Sequence, residues 1–448
     1  MSDIYLTYFF LFILACLSSI PLWIYLRRKD ADFFEPVYLS TAYFCLLFIV
    51  RPVFDLALGS DFIGPAPILD MPTAEAFNKG LLYLIPCFIL FLVGYYSRAG
   101  RTAARALPEV PASWSIPKFR LYAPLFVLTG ILSYYFLVAH FGGMNYYISN
   151  KQETLTAGGQ GYYLAGLSLL FQVFIVGFTI TLKDGKERFS TYAVMLPIVL
   201  VIGFLSGAKE LFLLPVFSVL ITINYLKKKV RPLVFVLIAS VFMAVVVPVF
   251  NTYRHINDFF ELQTKVEELV ERTDPEKMAR DSMGRFYGID SVAIIIRDTP
   301  GVMDYQYGKT LLPVALFWIP RQIWSEKPVV SFGKVFGATY LHEWFFNTGT
   351  AASPTILGEA YINWHLAGMM LTALVFGVVL RASYEYLIIN NRGGPAVFIF
   401  SCVFLYLFKF WEMDFSIFDN LFVSIASCAL FIFLMGGKRR EAQEEGHV

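Results

Sequence analysis

Cationic side chains at the edges of apolar runs are the residues in this chain best suited to chemistry. Lys209 sits in SGAKE, Arg254 in NTYRHIND, Arg285 in GRFYGID, and Arg321 and Lys327 in IPRQIWSEKP. Arg51 and Lys409 lie within or near the ends of further apolar runs. Guanidinium groups grip diphosphates or carboxylates through paired N–H donors, and lysine adds a point charge. Such a set suits a substrate with a phosphorylated head at a membrane surface and a tail in the bilayer. Charge near hydrocarbon is costly and by default marks a functional site. Each cation also has a plainer reading. Arg51 and Arg254 can snorkel, Arg285 can pair with Asp290, Arg321 can anchor an interface beside Trp324, and Lys409 can bridge to Glu412 or Asp414.

One carboxylate stands out. SPTILGEAYINWHLAG places Glu359 near the start of an apolar run, directly after Gly358. Partly desolvated there, it can act as general base for a hydroxyl; neutralising one of the arginines is the alternative. His365, six residues on, is a second candidate for the same work. Trp318, Trp324, Trp344, Trp364 and Trp411 read as an interfacial belt, though such rings also stack on sugars. Motifs of soluble enzymes are missing: no Walker loop, dinucleotide-binding glycines, HExxH or GxSxG. The five histidines are scattered, with no pair at metal-ligand spacing and no acidic cluster. The expectation is no metal and no cofactor.

The elements that must position these residues are apolar helices. The 448-residue chain is 57% hydrophobic and only 16% charged, with a mean hydropathy of +0.61. Runs of about 20 apolar residues are long enough to cross a bilayer as helices. Eleven spans are expected, near 4–26, 36–57, 80–97, 121–141, 162–182, 191–206, 210–226, 233–251, 366–388, 395–411 and 416–435. The first run precedes Arg27, Arg28 and Lys29, which is the reverse of a signal peptide, so it reads as a retained anchor. The five cysteines fall inside apolar runs and read as small buried hydrophobes.

Basic residues alternate between the connections. Arg27–Lys29, Arg98–Arg120, Lys183–Arg188, Lys227–Arg231, Arg381, Arg392 and Lys438–Arg440 lie on one side, against Lys79, Lys151 and Lys209 in the short connections of the other. The positive-inside rule makes the first side cytoplasmic, with the N-terminus outside and the C-terminus inside. SGAKE then forms a tight outer hairpin. Residues 1–251 carry eight spans, 252–360 form a large outer loop, and 361–448 carry three spans and a tail. Within the loop, GRFYGIDSVAIIIRDTPG reads as amphipathic. LLPVALFWIPRQIW reads as a re-entrant or interfacial helix ended by Pro320. Nothing in the charge distribution points to nucleic acid.

PRQIWSEKP followed by SPTILGEAYINWHLAG, with SGAKE, NTYRHIND and GRFYGID, resembles the bacterial O-antigen polymerase family, the Wzy type of oligosaccharide repeat-unit polymerase. The resemblance implies an all-α, GT-C-like membrane protein acting as a metal-independent inverting glycosyltransferase. Its substrates would be undecaprenyl-diphosphate-linked oligosaccharides. Its place would be the outer leaflet of the bacterial inner membrane, with a Wzz-type chain-length regulator as a possible partner. Arg254, Arg285 and Arg321 match family arginines expected near the diphosphate, and Glu359 matches the acid of the GE motif. Lys209, Lys327, Trp324 and His365 are the further substrate-binding candidates. The family often has arginine after SG, where this chain has Ala208 and Lys209. In the tenth span KFWEMD replaces an arginine–acid pattern. An O-antigen-ligase-like transferase or a lipid-linked oligosaccharide flippase are the alternative functions.

Overall fold

The structure is a computed structural model and describes residues 2–58, 73–151, 154, 161–184, 189–254, 283–284, 286–319, 323–324, 326, 331–341 and 352–437. No strand occurs among these residues, and helices account for most of them. Among the described residues, nine helices are long and apolar enough to cross a membrane, and two shorter apolar helices, Ser190–Ser206 and Gly394–Phe408, join them. All eleven apolar segments read from the sequence are therefore helical. In hydrocarbon a helix satisfies its own backbone N–H and C=O groups, so a long apolar run has little alternative.

The chain divides into two compact units. The first comprises Met1–Ala103, Glu267–Ala382 and Tyr406–Phe422; the second comprises Ala104–Val266, Ser383–Leu405 and Val423–Val448. The first unit is built on α1 (Ser2–Arg27), α2 (Pro36–Cys45), α3 (Arg51–Leu58) and α4 (Ala74–Tyr96). A π-helical turn, Leu46–Val50, joins α2 to α3 and re-phases the chain just before Arg51. Thr73 caps α4 by accepting the Ala76 N–H at 3.2 Å, with Glu75 in the favourable first turn.

Helix α5 (Ala99–Ala106) starts in the first unit and ends in the second unit, where the chain goes on to α6 (Ile116–His140), α7 (Met144–Ser149) and α8 (Gly161–Asp184). Helices α9 (Phe189–Ser206), α10 (Lys209–Leu226), α11 (Pro232–Val241) and α12 (Val247–Arg254) follow. Its core is aromatic and aliphatic, centred on Phe126, Phe171, Phe174, Phe398 and Phe431. Small residues bring its helices together: a Cβ on Gly130 would lie 2.8 Å from that of Leu170.

Three short helices of the long connection, α13 (Gly288–Asp298), α14 (Leu311–Ala315) and α15 (Phe332–Tyr340), belong to the first unit. So does most of α16 (Ile356–Tyr384). The last two helices are α17 (Gly394–Phe408) and α18 (Ile417–Met435).

Several expectations are corrected. Helix α13, expected only to be amphipathic and too short to span, lies in the interior: Gly288 to Ile296 are all buried. Gly288 meets Leu47 and Phe48, and Gly80 meets Ile289 and Ala293, so neighbours close over it on more than one side. Among its described residues, the apolar stretch after it is helical only in α14, and its next turns close through i→i+3 bonds from Phe317 to Val314 and from Ile319 to Leu316. The ninth apolar helix starts at Ile356, ten residues ahead of the expected span. Arg51 does not snorkel. It is fully buried and meets Asp290 at 4.0 Å. Trp411 is no belt residue either: it is 0% exposed, donates to Ser40 Oγ at 2.9 Å, and is ringed by Phe44, Phe91 and Phe376. Cys16 is exposed on its helix rather than buried.

Candidate functional site

Glu359 lies in the first turn of α16, and that turn is held in place by a dense set of hydrogen bonds. Thr355 opens the helix with φ +62°, a strained value for a β-branched residue, and its hydroxyl accepts the Gly358 N–H at 3.0 Å. Ahead of it, the Ser353 N–H donates to the Tyr287 hydroxyl at 2.9 Å. The Ser353 carbonyl accepts from Ser291 at 2.8 Å, and its hydroxyl donates to the Glu412 carbonyl.

The Glu359 side chain is 1% exposed. Its Oε2 accepts the Phe415 N–H at 2.6 Å, and the Thr310 hydroxyl lies near enough to favour the charged carboxylate. A second carboxylate, Asp414, lies close enough to repel it. Asp414 is itself well provided with donors: Ser331 Oγ at 2.7 Å, the Gly333 N–H at 2.8 Å and Ser416. Glu412 accepts from the Tyr43 hydroxyl. Both acids suggested as partners of Lys409 thus serve other donors as well.

One turn beyond Glu359, α16 breaks. Trp364 (φ −143°, ψ 26°) and His365 (φ 56°, ψ −156°) leave helical geometry inside a continuous apolar run. The Ile362 carbonyl at the break and the Asn363 side chain beside it find partners on the 306–310 segment, as buried polar groups must. Gln306 N–H donates to the Ile362 carbonyl at 2.8 Å, and Gly308 N–H donates to Asn363 Oδ1 at 2.7 Å. Asn363 Nδ2 in turn donates to Thr310 Oγ1 at 2.7 Å and to the Glu359 carbonyl at 2.9 Å. His365 is exposed and sits among the rings of Tyr361, Tyr305 and Tyr83, with centroids at 4.7, 6.0 and 6.3 Å.

Helices α4 and α16 run side by side in the same direction. Tyr83 meets His365 near their starts, a Cβ on Gly94 would lie 2.2 Å from the Leu374 carbonyl, and Tyr95 lies under Arg381 at 5.6 Å. At this far end Glu35, 3% exposed, gathers Tyr95 at 2.7 Å, Arg381 at 3.4 Å and Arg28 at 3.1 Å. The Glu359–His365 site and the basic Arg28–Arg381 cluster therefore occupy opposite ends of the first unit.

In the second unit, Lys209 begins α10 directly after a turn at Gly207 (φ +72°). The Tyr253 hydroxyl, one residue before Arg254, donates to the Leu205 carbonyl at 3.1 Å, and Tyr253 stacks on Phe204 at 4.7 Å. The Tyr147 hydroxyl donates to the Ser206 carbonyl at 3.4 Å. Burial pushes the Tyr147 phenol well above its ordinary pKa, so it stays neutral and presents its ring to Lys151, whose Nζ sits 3.4 Å from the centroid. The SGAKE turn, the NTYR segment and Lys151 thus meet at one end of the second unit. Trp324 is half-buried. Arg285, Arg321 and Lys327, with Trp344, lie outside the described residues, as does the Arg254 side chain.

No family model, curated protein or solved structure matches this chain.

Sequence reasoning missed Asn363, Thr310, Asp414, Lys151, Tyr83, Tyr305 and Tyr361 as parts of these sites. Asn363 and Glu359 are four residues apart, one helical turn, and that spacing was the available signal. Nothing local announces Thr310 or Phe415, because Thr310 meets Asn363 across 53 residues and Phe415 meets Glu359 across 56.

Proposed function

We propose that this protein is a membrane-embedded polymerase of lipid-linked oligosaccharides. It transfers a growing glycan from undecaprenyl diphosphate to the next lipid-linked repeat unit and releases undecaprenyl diphosphate. The observation that carries the reading is the placement of Glu359: a buried carboxyl beside a break in a membrane helix, at the end of its unit opposite the Arg28–Arg381 cluster. With basic residues on the cytoplasmic side, that end faces outward, where lipid-linked repeat units are joined.

In the reaction, the bond between the donor's anomeric carbon and the diphosphate oxygen breaks, and the acceptor hydroxyl oxygen bonds to that carbon from the opposite face. The acceptor proton passes to Glu359, whose Oε2 is oriented by the Phe415 N–H. The Thr310 hydroxyl gives way as the acceptor enters. The diphosphate leaves with the electron pair. Arg254, Arg285 and Arg321, with Lys209 and Lys327, offset its charge, and such electrostatic stabilisation is usually the largest catalytic contribution. A Wzz-type regulator would set chain length from outside this chain.

The test is incubation of the purified protein with synthetic lipid-diphosphate repeat units, with and without EDTA. A ladder of products in both conditions is expected. Arg254→Ala and Arg321→Ala should retain expression yet leave single-repeat product; unaltered ladders from both would remove their assigned role. A ligase would instead leave full-length lipid-linked chains when its gene is deleted. The break in α16 favours one further reading, a transporter of the same lipids, because transporters place broken helices at their substrate sites. Ladder formation by purified protein in detergent excludes transport as the sole activity.

A further inference from the structure

Tyr83, Tyr305, Tyr361 and His365 form one contiguous group of rings at the start of α16. Besides their contacts with His365, Tyr361 lies 6.2 Å from Tyr83 and 6.3 Å from Tyr305. Tyr361 is 2% exposed and backs the group, while Tyr83 and Tyr305 are half-buried and His365 is open. Tyr307, 75% exposed, extends the group at 6.1 Å from Tyr305.

The backbone at His365 lies in a region that is essentially reserved for glycine. Strain of this kind persists where the surroundings over-determine it, and here the bonds from Gln306 and Gly308 to Ile362 and Asn363 do so. A glycine would be relaxed at this position, so the strain is accounted for by what the imidazole does. The surroundings of the rings are mixed in character. The Lys79 ammonium stands 5.9 Å from the Tyr83 ring, and Asp304 and Lys309 are exposed on the adjoining segment. An acyl chain laid over these groups would strip water from charges and hydroxyls without replacing their hydrogen bonds. A pyranose meets both demands. Its C–H face lies against the negative faces of aromatic rings, and its hydroxyls bond to phenol, imidazole and ammonium at the edge.

We propose that Tyr83, Tyr305 and His365, backed by Tyr361, form a saccharide-stacking subsite that seats one sugar of the lipid-linked glycan at the end of the first unit that carries Glu359. The assignment rests on the polymerase reading and adds to it the residues that hold the sugar. Tyr361 and His365 share the first turns of α16 with Glu359, and Asn363 ties the Glu359 carbonyl to Thr310 on the segment that carries Tyr305, so a seated sugar lies at the same end of the first unit as the carboxyl that receives the acceptor proton.

The test uses the full-length protein in lipid nanodiscs. The probe is the pool of glycans released by mild acid from the lipid fraction of the source cells, with binding read by saturation-transfer NMR. Wild type should bind. His365→Gly should bind about tenfold more weakly, as expected for loss of one stacking contact, while its thermal midpoint stays level or rises because the backbone relaxes. Tyr305→Ala should lose a similar factor, and Tyr305→Phe should retain binding. Absence of binding by wild type, or equal binding by wild type and His365→Gly, overturns the subsite. So does a loss in Tyr305→Phe as large as that in Tyr305→Ala. Ladder synthesis is read in parallel. Ring-dependent glycan binding by a protein that builds no ladder overturns the polymerase reading and leaves the subsite standing.

Discussion

At the scale of single residues, Glu359 has two separable duties. Its carboxyl accepts the Phe415 N–H in a buried setting, and in the proposed reaction it receives a proton. Glu359→Ala strands the Phe415 donor and should cost about 1–3 kcal/mol, seen as a lower melting midpoint in detergent. Glu359→Gln keeps an acceptor oxygen of the same shape, so the fold should survive while the product stops at a single repeat. A Gln variant that builds wild-type ladders would leave Glu359 as a purely structural staple. Arg51 makes the contrasting case. It is sealed in with Asp290, and removing one member of a buried ion pair exposes the other to an unfavourable medium. Arg51→Met should destabilise by about 3–5 kcal/mol, and adding Asp290→Leu should restore much of the loss in the same melting experiment.

At the scale of elements, the parallel contact of α4 with α16 sets the distance between Tyr83 and His365. Gly94 and Gly377 make it: a Cβ on either would lie 2.2 Å from a carbonyl of the facing helix. Backbone cannot yield as a side chain can, so Gly94→Leu should force the helices apart and lower the yield of monodisperse protein on size exclusion. Gly161→Ala, where no atom lies within 4 Å, should leave that yield unchanged. The sequence revealed these elements well and their joints poorly. Every long apolar run became a helix, because hydropathy and length suffice where the solvent offers no hydrogen bonds. The break at Trp364–His365 was hidden, since INWHLAG carries neither proline nor glycine at the bend and the bonds that hold it come from residues 306–310. Likewise the burial of Arg51 depends on Asp290, 239 positions away, and no periodicity reports such a partner.

At the scale of the whole molecule, the proposed orientation places Lys209 outside and the chain's last residues in the cytoplasm. A green fluorescent protein fused after Val448 should fluoresce in living cells, and a periplasm-dependent phosphatase fused there should be silent. The reverse pattern would turn the molecule over and place the Glu359 end inside, against the polymerase reading. The alternation of basic residues carries this expectation, and Arg28 and Arg381, both assigned to the cytoplasmic side, meet on Glu35 at one end of the first unit. A different use follows from the sheltered indole of Trp411. With its nitrogen tied to Ser40 and its faces closed off by phenylalanines, its emission should be blue and out of reach of brominated lipid. Trp23, 54% exposed on α1, should be quenched by the same lipid. The protected fraction of the fluorescence then becomes an optical gauge of whether the first unit is intact, readable without substrate, label or activity.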